Sequence, residues 1–347
     1  MPKGEYLQYG GQAIIEGVMM RSPRYFSVAC RAPNGEIVIE TEAIEKTWIG
    51  KQHWLKYPFM RGSLALLDAM ALGLRAMKFA SNVQLDPKYL PEGETPDASA
   101  KPRNAVKEAK IQDAAIGFTI VFSIAFGLLL FNYVPNLVAE LTQRAAGNTN
   151  ERQINFIAEI VKFVIFIGYI AGIGQLKDVK EVFKYHGAEH KAINTLEAEK
   201  PLVFEECLKQ TRLHPRCGTS FAMIVLLVGL LVFTFVPRYP ITGHKTAFPL
   251  IDVSVRFLIE LAILPLIAGT AYELLRLAGR FRNQKVVNLF FKPGIWMQYL
   301  TTREPEEGQI EVALVALKAV LEAEESDKAP VEEEEVNELE SAPVVVP

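Results

Sequence analysis

The chain holds only five histidines in 347 residues, and two of them, His186 and His190, stand four apart in YHGAEHKAIN with Glu189 between them. On a helix, residues four apart lie one turn above each other on the same face. This H-x-x-E-H spacing therefore aims two imidazoles at one point with a carboxylate beside them. It is the pattern by which inverted zinc peptidases hold Zn²⁺, the carboxylate handling the proton of a water. Gly187 lowers the helix propensity of the stretch. A hydrated cytoplasmic helix whose histidines meet carbonyls or lipid phosphates would carry the same letters.

A second cluster, RLHPRCGTS at 212–220, supplies His214 and Cys217, both borderline-to-soft metal ligands. Three of the five histidines and two of the three cysteines thus fall between His186 and Cys217. The expected ligand set is His186, His190 and one of His214 or Cys217, with Glu205 or Glu206 as substitutes for the third. Glu189 would be the general base and zinc the expected divalent ion. A site using both His214 and Cys217 would be closed and structural. Cys217 also reads as a nucleophile with a neighbouring His as base. Arg216 beside it would lower the thiol pKa or bind lipid phosphate.

Two runs bracket this segment without a charged residue, Ala114 to Ala139 and Cys217 to Pro237, each near the ~20 residues needed to cross a hydrocarbon core. Asn155 to Leu176, with Glu159 and Lys162, and Phe257 to Leu275, with Glu260 and Glu273, are further candidate spans. Four spans return the lysine- and arginine-rich segment 177–216 to the cytoplasm, as the positive-inside tendency requires; two spans would not. Both termini then lie inside. The first apolar run begins only after residue 110, so it is expected to act as an uncleaved membrane signal. Cys30, Cys207 and Cys217 fall on the cytoplasmic side or its edge and are expected to be reduced. The four intramembrane charges lie toward span ends, where snorkelling would serve them; that placement speaks against a transporter. A net charge of −3 and the absence of a basic block interleaved with aromatics give no sign of nucleic-acid binding.

The fold class expected is an α-helical membrane protein of about four spans with a small cytoplasmic α+β unit at residues 1–82. In that unit YFSVACRA and IVIETEAI flank Asn34-Gly35 as a hairpin over 25–44. YGGQAIIEGVMMRSP before it reads as irregular, and Ser63 to Phe79 after it as an amphipathic helix with Leu64, Leu67, Ala71, Leu74 and Met77 on one face, lying on the membrane or on the hairpin. Glu16 and Arg21 are candidates for a buried ion pair or for a pocket beside the metal cluster. Residues 83–110 read as a linker, 111–279 as the membrane domain, 280–324 as an interfacial stretch followed by a surface helix from about Pro305, and the acidic 325–347 as a disordered tail.

The strings GGQAIIEGVMMRSP, YHGAEHKAIN, HPRCGTSF and KPGIWMQYLTTREPEEGQIEVALVALKAVL, in this order, resemble the YqhQ-like family of bacterial integral-membrane proteins, over nearly the whole chain except the acidic tail. The resemblance implies a multi-pass protein of the bacterial cytoplasmic membrane. Members are often labelled metal-dependent enzymes, a label resting on the same histidine pattern. Inverted zinc peptidases take their third ligand from a downstream glutamate in a soluble domain, whereas here the downstream chain enters the membrane. Two functions are carried forward: a metal-dependent hydrolase at the cytoplasmic membrane surface, and a non-catalytic scaffold or accessory factor for other membrane proteins with a structural polar or metal cluster.

Overall fold

A computed structural model describes residues 9–44, 57, 59–91, 117–119, 121–147, 150–241, 243–280 and 285–326. Most of the expected linker at 83–110 and nearly all of the acidic tail lie outside the described residues.

Four strands, β1 (Gly10–Ile14), β2 (Gly17–Arg21), β3 (Tyr25–Arg31) and β4 (Ile37–Ala43), form an antiparallel meander in sequence order. The expected hairpin is β3–β4, with Tyr25 opposite Ala43 and Arg31 opposite Ile37. Its turn uses Gly35 at φ +90° and the Asn34 side chain, which accepts from Glu36 N–H at 3.0 Å. Residues 10–21, expected to be irregular, are instead a second hairpin, β1–β2. The period-2 signal is missing because β2 is buried along its length, as both faces of the sheet are covered.

Helix α1 (Met60–Leu85) covers one face, burying Leu72, Ala76, Ala80 and Val83 against Ile14, Met19, Phe26, Val28 and Cys30. The apolar face expected for this helix is not the buried one: Leu67 and Leu74 are about half exposed. On the other face of the sheet lie α4 (Lys177–Glu197), α5 (Phe204–Lys209) and α9 (Glu307–Ser326), through Tyr185, Ala188, Ala192, Cys207, Ile310, Ala313, Leu317 and Val320. The expected surface helix near the carboxy terminus is therefore a core helix. Ser22 and Arg24 pin its far end through Glu324, at 2.6 and 2.9 Å.

The remaining helices form an apolar bundle: α2 (Gly117–Ala146), α3 (Glu151–Ile173), α6 (Gly218–Phe235), α7 (Pro249–Arg280) and α8 (Lys285–Thr301). Among the described residues, three helices are long and apolar enough to cross a membrane: α2, α3 and α6. Helix α2 carries a π turn at Leu129–Tyr133, just ahead of Pro135, whose ring and missing N–H disturb the regular ladder.

Glu159, Lys162 and Glu260 are not at helix ends. Lys162, twelfth of the 23 residues of α3, bridges Glu159 at 2.9 Å and Glu260 of α7 at 3.2 Å, all three buried. Glu260, read from the sequence as lacking a local partner, also accepts from Arg256 at 3.0 Å and from Asn136 at 2.9 Å. Arg238 meets Glu140 at 3.1 Å, and Arg144 bridges Glu140 and Asp252 at 2.9 and 2.8 Å. In these ion pairs four cations face four carboxylates. The burial and pairing of Glu159, Lys162 and Glu260 correct the expectation that they sit toward span ends and snorkel. Glu273 lies apart, accepting from Phe59 N–H at 3.4 Å where α1 meets α7.

Candidate metal centre

Helix α4 positions the histidine pair. Its sheet-facing side carries Tyr185, Ala188 and Ala192, so His186 and His190 turn toward the start of α6 and the end of α8. His186 Nδ1 donates to the carbonyl of Thr301 at 2.8 Å, and His190 Nδ1 donates to that of Arg212 at 2.6 Å. With each Nδ1 engaged as donor, each Nε2 keeps its lone pair. This is the support that orients metal-binding imidazoles. His186 Nε2 lies 3.1 Å from Cys217 Sγ, and the rings of His186 and His190 are 4.4 Å apart. The ligand atoms of His186, His190 and Cys217 all lie within 4.8 Å of one another.

Cys217 caps the N-terminus of α6, its sulfur accepting from Thr219 N–H at 3.4 Å. Glu189 is buried beside the pair, with Oε2 3.5 Å from His190 Nε2. Burial pushes its carboxyl above the usual range, and His186, His214, the Gly11 N–H and Arg216 pull it partway back. Gly11 of β1 stands so close that a Cβ there would fall 2.7 Å from Glu189 Cγ. Only glycine lets this strand lie against the carboxylate.

Helix α4 contains Gly187 for a similar reason. A Cβ at 187 would overlap the carbonyl oxygen of Arg303 in the α8–α9 connection. The residue that weakens helix propensity is what lets that connection reach His186.

His214 stands in a second layer. Its Nε2 pairs with Glu197 at 3.1 Å, Glu197 also takes Arg216, and its ring centroid is 5.7 Å from that of His190. Gln298 of α8 clamps this loop, accepting from His214 N–H at 2.8 Å and donating to His214 O at 2.7 Å and Ser220 Oγ at 2.9 Å. The geometry therefore assembles Cys217, rather than His214, with the histidine pair. Glu205 and Glu206 lie on α5 outside that group; Glu206 pairs with Lys209 at 2.5 Å. Glu16, at φ +50° in the β1–β2 turn, accepts from Tyr185 Oη at 3.2 Å, one residue from His186. Arg21 ends β2, about 16 Å along the strand from Glu16 at ~3.3 Å per residue, so the two form no pair. Gly11, Glu197, Gln298 and the Thr301 and Arg212 carbonyls were missed from sequence. Gln298, a lone amide in the apolar GIWMQYL, was the one with a visible signal.

A model of the family described as protein of unknown function (DUF1385) matches residues 57–323. The chain is also 34% identical over 317 residues to the uncharacterized protein YqhQ of Bacillus subtilis (strain 168), covering 90% of this chain and 92% of that one. No solved structure matches. The chain belongs to the DUF1385 family, and the YqhQ-like resemblance is upheld.

Proposed function

We propose that this DUF1385 member is a multi-pass protein of the bacterial cytoplasmic membrane and a metal-dependent hydrolase, with a divalent-metal site, zinc in the first instance, on its cytoplasmic face. In this reading α7 is the fourth span, which places segment 177–216 and both termini inside in keeping with its basic residues. The observation that carries the proposal is the convergence of His186, His190 and Cys217, whose ligand atoms lie within 4.8 Å of one another, with His186 Nε2 3.1 Å from Cys217 Sγ and both Nδ1 atoms held by carbonyls.

His186, His190 and Cys217 would hold such an ion, and a set of three protein ligands is that of catalytic rather than structural zinc sites. A metal held there supplies Lewis acidity. The chain supplies the rest. Glu189, buried beside the pair, would as its carboxylate take a proton from the attacking water and return it to the leaving group. The Gly11 N–H fixes the carboxylate. Arg216, partly exposed at the start of α6, pairs with Glu197, which also takes His214. The test is metal content by inductively coupled plasma mass spectrometry of protein purified without chelator. Stoichiometric zinc or another divalent metal in the wild type, lost in His186→Ala/His190→Ala and kept in Glu189→Gln, is the expected result. Absence of metal from the wild type defeats the enzyme reading.

A second reading has its own support: each of the three histidines has a hydrogen-bond partner, and His186 bonds Cys217 directly. In that reading the cluster is a polar joint between sheet unit and bundle, and the protein is a scaffold or accessory factor for other membrane proteins. Wild type without metal, together with a destabilised His186→Ala, would favour it.

A further inference from the structure

Helix α1 leaves the sheet partway along its length. Its carboxy-terminal half is buried under β2 and β3, but its start lies against α7. Ser63 Oγ donates to the Pro265 carbonyl at 3.0 Å, and a Cβ at Gly62 would fall 2.6 Å from Tyr272 Cβ. This stretch of α7 includes Ile267 and Ala271, which share a core with Ile224 and Val228 of α6. Ile224 is six residues into α6, about 9 Å from its start at 1.5 Å per residue. The contact is therefore within the apolar bundle rather than below it.

The stripe of α1 that begins at Ser63 continues at helical spacing through Leu66, Leu67, Met70 and Leu74, which are 38%, 50%, 47% and 49% exposed. Leu266 of α7, beside the contact, is exposed as well. Arg75, farther along the helix, pairs with Glu42 of β4. An apolar stripe continuous with a bundle surface is the pattern of a helix lying in a membrane interface.

We infer that the stripe Leu66, Leu67, Met70 and Leu74 is buried among lipid acyl chains of the cytoplasmic leaflet, so that α1 anchors the sheet unit to the bilayer. The inference rests on the membrane reading above. Because β1 touches both α1, through Gln12 against Gly73, and Glu189, through Gly11, the anchor also fixes the height of the metal centre over the leaflet.

The test is spin labelling of full-length protein in phosphatidylglycerol/phosphatidylethanolamine vesicles, with one cysteine introduced at a time: Leu67→Cys, Met70→Cys, Leu231→Cys on the exposed face of α6, and Glu325→Cys on α9. The native cysteines are all buried. Collision with oxygen exceeding collision with a water-soluble nickel chelate at 67 and 70, as at 231 and unlike 325, is the expected result. Labels at 67 and 70 matching 325 while 231 reports lipid would overturn the anchor and leave the spanning reading intact. Low access to both reagents at 67 and 70 would mean that protein covers the stripe, which overturns the proposal too. Aqueous access at 231 would remove the membrane reading and the anchor with it.

Discussion

Gly187→Ala separates two arguments that predict opposite signs. In an open helix the change stabilises, since alanine has about 1 kcal/mol better propensity than glycine. Here the new methyl would overlap the Arg303 carbonyl and lie 3.3 Å from Pro305 Cδ. The obstacle is backbone, held by Arg303 N–H donating to Phe183 O at 2.8 Å and by Lys191 bridging Glu304 at 2.6 Å. Overpacking costs about 1–3 kcal/mol, and loss of the backbone hydrogen bond about 1. Against the propensity gain, the net is a destabilisation of about 1–3 kcal/mol. The displaced connection would also carry the Thr301 carbonyl away from His186 Nδ1, so metal affinity should fall. The assay is thermal unfolding in detergent at a fixed scan rate, with metal content measured on the same samples. Gly308→Ala on α9, where the added atom would meet only Arg31 at 3.6 Å, is the control and should be neutral or stabilising. A Gly187→Ala protein as stable as that control would refute the close approach and with it the argument that this glycine serves the site.

Lys162→Met should destabilise by about 3–5 kcal/mol, because it takes from the buried Glu159 its ion-pair partner, while Glu260 keeps Arg256; Lys162→Met/Glu159→Gln should recover part of this, read as midpoint temperature. Glu324 gives a pH dependence. Burial pushes its carboxyl up, but the Ser22 and Arg24 hydrogen bonds outweigh this and hold it below its ordinary value of 4.5. A depressed folded pKa means that its stabilisation is complete above that ordinary value and is lost as pH falls through the folded one. Unfolding scans should thus show a loss of stability below pH 4.5 that is smaller in Glu324→Gln. Cys30, whose thiol burial and Glu16 push up to about 12, and Cys207, pushed up chiefly by burial, should resist iodoacetamide at pH 8 in folded protein, as peptide mass spectrometry would show.

The parts legible in sequence were those with local signals. Asn34-Gly35 announced its hairpin because the turn needs positive φ at a known place, and the uncharged runs announced helices because charge is costly in an apolar bundle. What failed depended on distant partners. Strand β2 shows no alternation because α1 covers one side and α4 and α9 the other. Helix α9 looked like a surface helix because the sheet it packs on lies some 280 residues earlier. Glu260 looked partnerless although Arg256 is one turn before it on the same helix, and its other two partners come from α2 and α3. The histidine pair could be read at its spacing, but the choice of Cys217 over His214 depends on Gln298, which fixes the loop between them from another helix.

The candidate site is thus assembled from three remote stretches of chain. Strand β1 brings Gly11 to Glu189, segment 177–217 brings the ligand atoms, and the end of α8 brings Thr301 and Gln298. Each stretch also packs into something else: β1 against α1, Cys217 as the cap of an apolar helix, Thr301 at the junction with α9. A small movement of α6 relative to the sheet would move Cys217 while leaving His186 and His190 on α4. The three ligand atoms therefore report on the seating of the bundle against the sheet unit. A metal bound by all three would hold that seating closed, since its affinity depends on the distance between two bodies as well as on the side chains. On these grounds the catalytic and structural readings share one geometry. They divide on whether water would reach an ion held there, and Glu189, buried with Oε2 3.5 Å from His190 Nε2 and held by a strand that only glycine allows so near, favours the catalytic one.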